Sequence, residues 1–124
     1  MPTEPQSQVL IVDTNEYSAE VLHAVLKRKG VETISVRQPQ QGIQLARSCD
    51  PDVIVLDVES LEGQDISTDD FVDCEKEQPA RLVLLGNLRQ RENERGSDAF
   101  LAKPYHFAAL IRKIEGLLAD SRAA

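Results

Sequence analysis

Apolar and polar positions along this chain follow two periods. Val9-Leu10-Ile11-Val12, Val53-Ile54-Val55-Leu56, Leu82-Val83-Leu84-Leu85 and Ala99-Phe100-Leu101-Ala102 are short continuous apolar runs, the pattern of strands buried on both faces. They predict strands over 8–12, 53–57, 81–85 and 99–102, and the alternation from Val31 to Val36 predicts another. Between them the period becomes helical. Val21, Leu22, Val25 and Leu26 share one face of a helix from about Asn15 to Lys29, with Gly30 where a helix-terminating glycine belongs. A second helix opens near Pro39, carries Ile43, Leu45 and Ala46, and ends before Pro51. The last is the clearest: Phe107, Leu110, Ile111, Ile114, Leu117 and Leu118 form one stripe.

The middle of the chain is less regular. Residues 58–66 read as a loop containing Gly63. Ser67 or Thr68 can cap a helix, with Asp69 and Asp70 favourable in its first turn, and this predicts a helix to about Glu77, ahead of Pro79. Gly86 to Asp98 holds one large apolar residue, Leu88, among several charges, and reads as a short exposed helix or a plain loop. Residues 1–7 read as a loose leader.

Strands alternating with helices imply right-handed crossovers and a parallel sheet, hence a doubly wound α/β sandwich of three layers. A length of 124 residues suits a single domain, 1–124, with its core over about 8–119. A net charge of -7 argues against a general nucleic-acid surface. No apolar stretch approaches the ~20 residues that span a bilayer. The polar N-terminus is no signal peptide, so a cytoplasmic setting is expected, with Cys49 and Cys74 as reduced thiols in or near the core. His23 and His106 read as surface or packing residues. Ala119 to Ala124 is a natural end or the start of a linker.

Three of the apolar runs end on charge: Asp13 after the first, Asp57 after the third, and Lys103-Pro104 after the fifth. In an open parallel sheet the carboxyl ends of strands border the crevice where ligands bind. Two carboxylates and an ammonium are therefore expected to meet at one edge.

In the order and spacing of these motifs, over roughly residues 8 to 119, the chain resembles the receiver domain of two-component response regulators. The resemblance implies the flavodoxin-like strand order 2-1-3-4-5, which sets Asp13 beside Asp57. It implies Asp57 as phosphoacceptor, with Mg²⁺ held by Asp13, Asp57 and the Glu59 backbone. It further implies Lys103 as partner of a phosphoryl oxygen, with a cis bond to Pro104. The implied partners are a sensor histidine kinase or phosphotransfer protein and an output domain or protein; neither nucleic acid nor membrane is implied. The implied role is signalling rather than enzymatic, since no Gly-rich phosphate loop or nucleophile–base pair supports a diffusible substrate.

Several positions depart from the family pattern. Thr14 stands where the family has a second acidic residue that binds Mg²⁺. It offers at most a hydroxyl and reads better as a helix N-cap, with Glu16 or Glu59 as candidate compensation. Gly86 stands where a Thr or Ser hydroxyl senses phosphorylation, with Asn87 next, while Phe100 occupies the switch aromatic position. The Met-Pro pair after the acceptor is absent, although Gly63 survives, and the stretch between the fourth and fifth strands is about one helical turn short. The alternative is thus a pseudo-receiver, the same fold used as a phosphorylation-independent docking module. Arg89, Arg91 and Arg95 read as a solvated loop before a phosphate-docking patch.

Overall fold

The computed structural model describes residues 7–73, 75, 78–87 and 98–123. The leader through Gln6, Cys74, and the segment 88–97 with Arg89, Arg91 and Arg95 lie outside the described residues.

The five expected strands form within about a residue of their predicted bounds: β1 (Gln8–Val12), β2 (Glu32–Val36), β3 (Val53–Asp57), β4 (Arg81–Gly86) and β5 (Ala99–Ala102). They make one parallel sheet in the order β2-β1-β3-β4-β5. Strand side chains alternate between faces, so each continuous apolar run feeds two cores at once. Val9, Ile11, Val53, Val55, Val83 and Leu85 face α1 (Glu16–Arg28) and the C-terminal helix α3 (Phe107–Ala123). Leu10, Val12, Ile54, Leu56, Leu82 and Leu84 face the side of α2 (Pro39–Cys49). These are the three expected layers.

The caps explain where the helices stop. Asn15 accepts the backbone N–H groups of Tyr17 and Ser18 and is the N-cap of α1; Thr14, expected to cap, is exposed one residue too early. Gly30, at φ 80°, turns the chain out of α1 in the left-handed region that favours glycine.

Among the described residues the helix expected from Ser67 to Glu77 does not form. A 3-10 turn at Thr68–Phe71 takes its place, and the chain leaves it extended at Val72. Ser67 and Asp70 close a reciprocal capping box, which satisfies the turn's first donors. Beyond Phe71 and Val72, Asp73 and Glu75 add charge and no apolar repeat pays for a longer helix. The expected loop 58–66 also begins with a 3-10 turn, Val58–Leu61, capped by Asp57. Phe71 is buried against α2, where Gly42 leaves room for it: a Cβ at Gly42 would lie 3.0 Å from Phe71 Cε1 and 2.7 Å from Val12 Cγ2. Cys49 is exposed rather than near the core, because it is the last residue of α2, past the buried contacts of Gly42 and Ala46. Among the described residues no helix is long and apolar enough to cross a membrane.

Candidate functional site

The register builds the site. Val12 pairs with Leu56, so the next residues, Asp13 and Asp57, stand side by side at the carboxyl edge. Asp57 is opposite Leu85 on β4, and Gly86 is opposite Ala102 on β5. Lys103 follows directly, its N–H donating to the Gly86 carbonyl at 2.8 Å. Gly86 is buried and puts no side chain between β3 and β5. The Lys103 side chain crosses the end of β4 there, and its Nζ reaches Asp57 Oδ2 at 2.7 Å. The Lys103–Pro104 peptide bond is cis.

Each aspartate also clasps the loop that follows it. Asp13 Oδ1 accepts the Asn15 N–H at 2.9 Å, and Asp57 Oδ1 accepts the Glu59 N–H at 3.0 Å. The Ser60 hydroxyl donates to the Asp57 carbonyl at 2.6 Å. Both carboxylates are held in fixed orientations at the base of the crevice, with Asp13 only 4% and Asp57 only 3% exposed.

Charge here is imbalanced. Burial pushes the Asp13 carboxyl up to about 6, and the neighbouring Asp57 adds to this against the Asn15 N–H. Burial alone would lower Lys103. The hydrogen bond to Asp57 and the charges of Asp57, Glu59 and Asp13 outweigh it and hold the ammonium above its usual range. The Glu59 carboxylate adds a longer ion pair to Lys103, at 3.6 Å. Glu16, the other candidate compensator, is turned away and paired with Arg37 at 3.0 Å.

Two adjacent carboxylates with one ammonium, bonded to Asp57, leave room for more positive charge. The donor set suits Mg²⁺, which commonly takes one or two carboxylates and keeps several waters. Among the described residues no group of three or more His, Cys, Asp or Glu side chains gathers to hold a metal. The third protein donor would therefore come from the backbone.

The structure thus brings Asp13, Asp57, Glu59 and Lys103 together, with Gly86 beside them. Thr14 and Asn87 are exposed at the rim. Phe100 is half-buried and packs with the core on the α2 side. Sequence reasoning passed over Tyr105. It is half-buried, and its hydroxyl lies in the field of Asp13, Asp57 and Lys103. The signal available was an aromatic two residues after the strand-ending lysine.

Strand order and crossover layers are those of the flavodoxin-like receiver fold, and the charged groups gather at its carboxyl edge. No family profile matches the chain. A curated relative, the polar-differentiation response regulator DivK of Brucella ovis, is 25% identical over 119 residues, covering 91% of this chain and 97% of DivK. Among solved structures, the signal receiver domain of a candidate LuxO repressor protein from Vibrio parahaemolyticus matches with a TM-score of 0.77 at 21% identity, covering 96% of this chain and 95% of that one. A response-regulator candidate from Chloroflexus aurantiacus matches with a TM-score of 0.73 at 23% identity, over 93% and 99%. These structural likenesses speak to the fold.

Proposed function

We propose that this chain is a phosphorelay receiver domain in which Asp57 accepts a phosphoryl group from the phosphohistidine of a sensor kinase or phosphotransfer protein. One observation carries the reading: a buried Asp57, bonded to Lys103 at 2.7 Å, stands beside Asp13 at the crevice edge. An Asp57 carboxylate oxygen attacks phosphorus in line; an O–P bond forms, the donor's P–N bond breaks, and the leaving imidazole takes up a proton. Lys103 shifts from the carboxylate to a phosphoryl oxygen. Asp13, Asp57 and the Glu59 carbonyl would hold Mg²⁺, which when bound neutralises phosphoryl charge. The modified domain then binds its protein partner differently, in a signalling role without a diffusible substrate.

A second reading, constitutive docking by a pseudo-receiver, is favoured by Gly86, which has no hydroxyl for a phosphoryl group, and by the exposed Thr14. The discriminating experiment is intact mass after incubation with Mg²⁺ and acetyl phosphate, beside Asp57→Asn. A gain of one phosphoryl group that the variant lacks supports the receiver. A folded protein with no gain sinks it in favour of docking.

A further inference from the structure

A groove of about 520 Å³, which the phosphoryl chemistry does not use, lies between the end of α2 and the segment after the second 3-10 turn. Phe71 closes that turn and the chain leaves it extended at Val72, so no full helix packs along this part of α2. The floor of the groove is apolar. Ala46 and Phe71 are buried there, while Val72 and Ala80 are half-buried, resting on the α2-side core and still reaching the groove.

The walls carry one sign of charge. Asp70, Asp73 and Glu75 stand along one side, and Arg47 and Asp50 close the α2 end. Four carboxylates against one guanidinium leave a formal charge of -3. Lys76 and Glu77, outside the described residues, cancel each other in formal charge. Asp70 Oδ2 accepts the Ser67 N–H at 2.9 Å and Asp73 Oδ1 accepts the Glu75 N–H at 3.1 Å, which leaves each carboxylate a second oxygen. Among the described residues no ion pair engages Asp70, Asp73 or Glu75. A solvated acidic wall accounts for the charge but not for the apolar floor between that wall and α2. A partner that brings positive charge together with an apolar side chain is complementary to both.

We infer that this groove docks a basic peptide segment of a protein partner. An apolar side chain of the segment packs on Val72 and Ala80 over Phe71, and flanking Lys or Arg groups pair with Asp70, Asp73 and Glu75. Asp50 leads into β3 and Ala80 into β4, so the groove lies toward the amino ends of these strands, away from the edge that holds Asp57. Docking there is independent of the state of Asp57 and stands whether or not that residue accepts a phosphoryl group.

The test titrates the peptide acetyl-Lys-Arg-Leu-Arg-Lys-amide into the full chain at low salt and follows the backbone amide resonances. Saturable shifts are expected at Arg47, Val72 and Ala80, with the Glu59 amide unmoved. Asp73→Asn with Glu75→Gln should weaken binding at least about threefold, since exposed charge pairs contribute modestly. The asparagine keeps the Oδ1 acceptor for the residue 75 N–H, and both side chains are exposed, so this variant is expected to fold. Glu20→Gln with Glu32→Gln removes two exposed carboxylates elsewhere and should leave binding within about twofold of wild type. Serine in place of the peptide's leucine should weaken binding, and Asp57→Asn should bind as wild type does. No saturable shift at Val72 and Ala80, or shifts centred on Glu59, would overturn the inference. So would equal losses in the two double variants, undiminished binding of the serine peptide, or loss of binding in Asp57→Asn.

Discussion

Lys103 Nζ and Asp57 Oδ2 lie 2.7 Å apart, joined across the end of β4 by residues 46 positions apart in sequence. The carboxylate is almost wholly buried and the Lys103 side chain is 31% exposed, so the lysine is the part of the pair that can be drawn away. The bond therefore closes the fold at its carboxyl edge and stays available for exchange.

Removing that lysine should cost stability. Lys103→Met leaves Asp57 buried beside Asp13 without its ammonium, at an expected loss on the order of 1–3 kcal/mol, less than for a fully buried pair because Lys103 is partly solvated. Urea unfolding at pH 7 measures it. The Lys103 pKa is raised in the folded state, so the contribution is fully present below the unfolded value of 10.5 and is lost as pH rises through the higher folded value. A wild-type and a variant curve that differ equally at pH 7 and at pH 12 would refute the assignment.

Removing Asp13 should act in the opposite sense, although its titration too lowers stability as pH rises. Its carboxyl titrates near 6 in the fold against 3.8 in the unfolded chain, so the folded state binds more protons between those values. Stability should fall as pH rises from about 4 to about 6, then level off. Asp13→Asn removes this slope and gains on the order of 1–2 kcal/mol at pH 7. Thermal unfolding with Mg²⁺ completes the test: the ion should raise the wild-type midpoint and leave that of Asp13→Asn unmoved.

Gly42 tests the packing that replaced the expected third crossover helix. Gly42→Ala gains helix propensity of roughly 0.5–1 kcal/mol, but its Cβ must enter space 2.7 Å from Val12 Cγ2, where overpacking costs about 1–3 kcal/mol. Net destabilisation is expected from denaturant unfolding. Adding Phe71→Leu should relieve part of it, so a double-mutant cycle would return a non-zero coupling.

The strands and helices with strong periodicity were readable because a continuous apolar run or a single stripe admits one burial pattern. So was the meeting of Asp13, Asp57 and Lys103, since parallel register puts all strand ends on one edge. The 67–77 segment was misread because its cap residues signal a helix start equally well for a single 3-10 turn; the missing apolar repeat beyond Val72 was the signal against a longer helix. Thr14 and Asn15 are adjacent capping residues, and local propensity alone does not choose between them. The packing of Tyr105 on Phe107 and on the core shared by α1 and α3 joins residues with no shared periodicity, so only the tertiary fold reveals it.

Thr14 sets the last prediction. It is exposed beside Asp13, where a carboxylate would add a unit charge a few Å from a bound cation. Even in water-like surroundings that attraction is about 1 kcal/mol, or roughly fivefold in affinity, and it is larger in a site partly withdrawn from water. Thr14→Asp should therefore tighten Mg²⁺ binding at least about fivefold by calorimetric titration. Without the ion it should also raise the Asp13 pKa further and lower the unfolding midpoint, because one more carboxylate then joins Asp13, Asp57 and Glu59 around a single ammonium. If Mg²⁺ affinity is unchanged while the midpoint falls, the cation does not sit between Asp13 and Asp57, and the proposed ligand set is wrong.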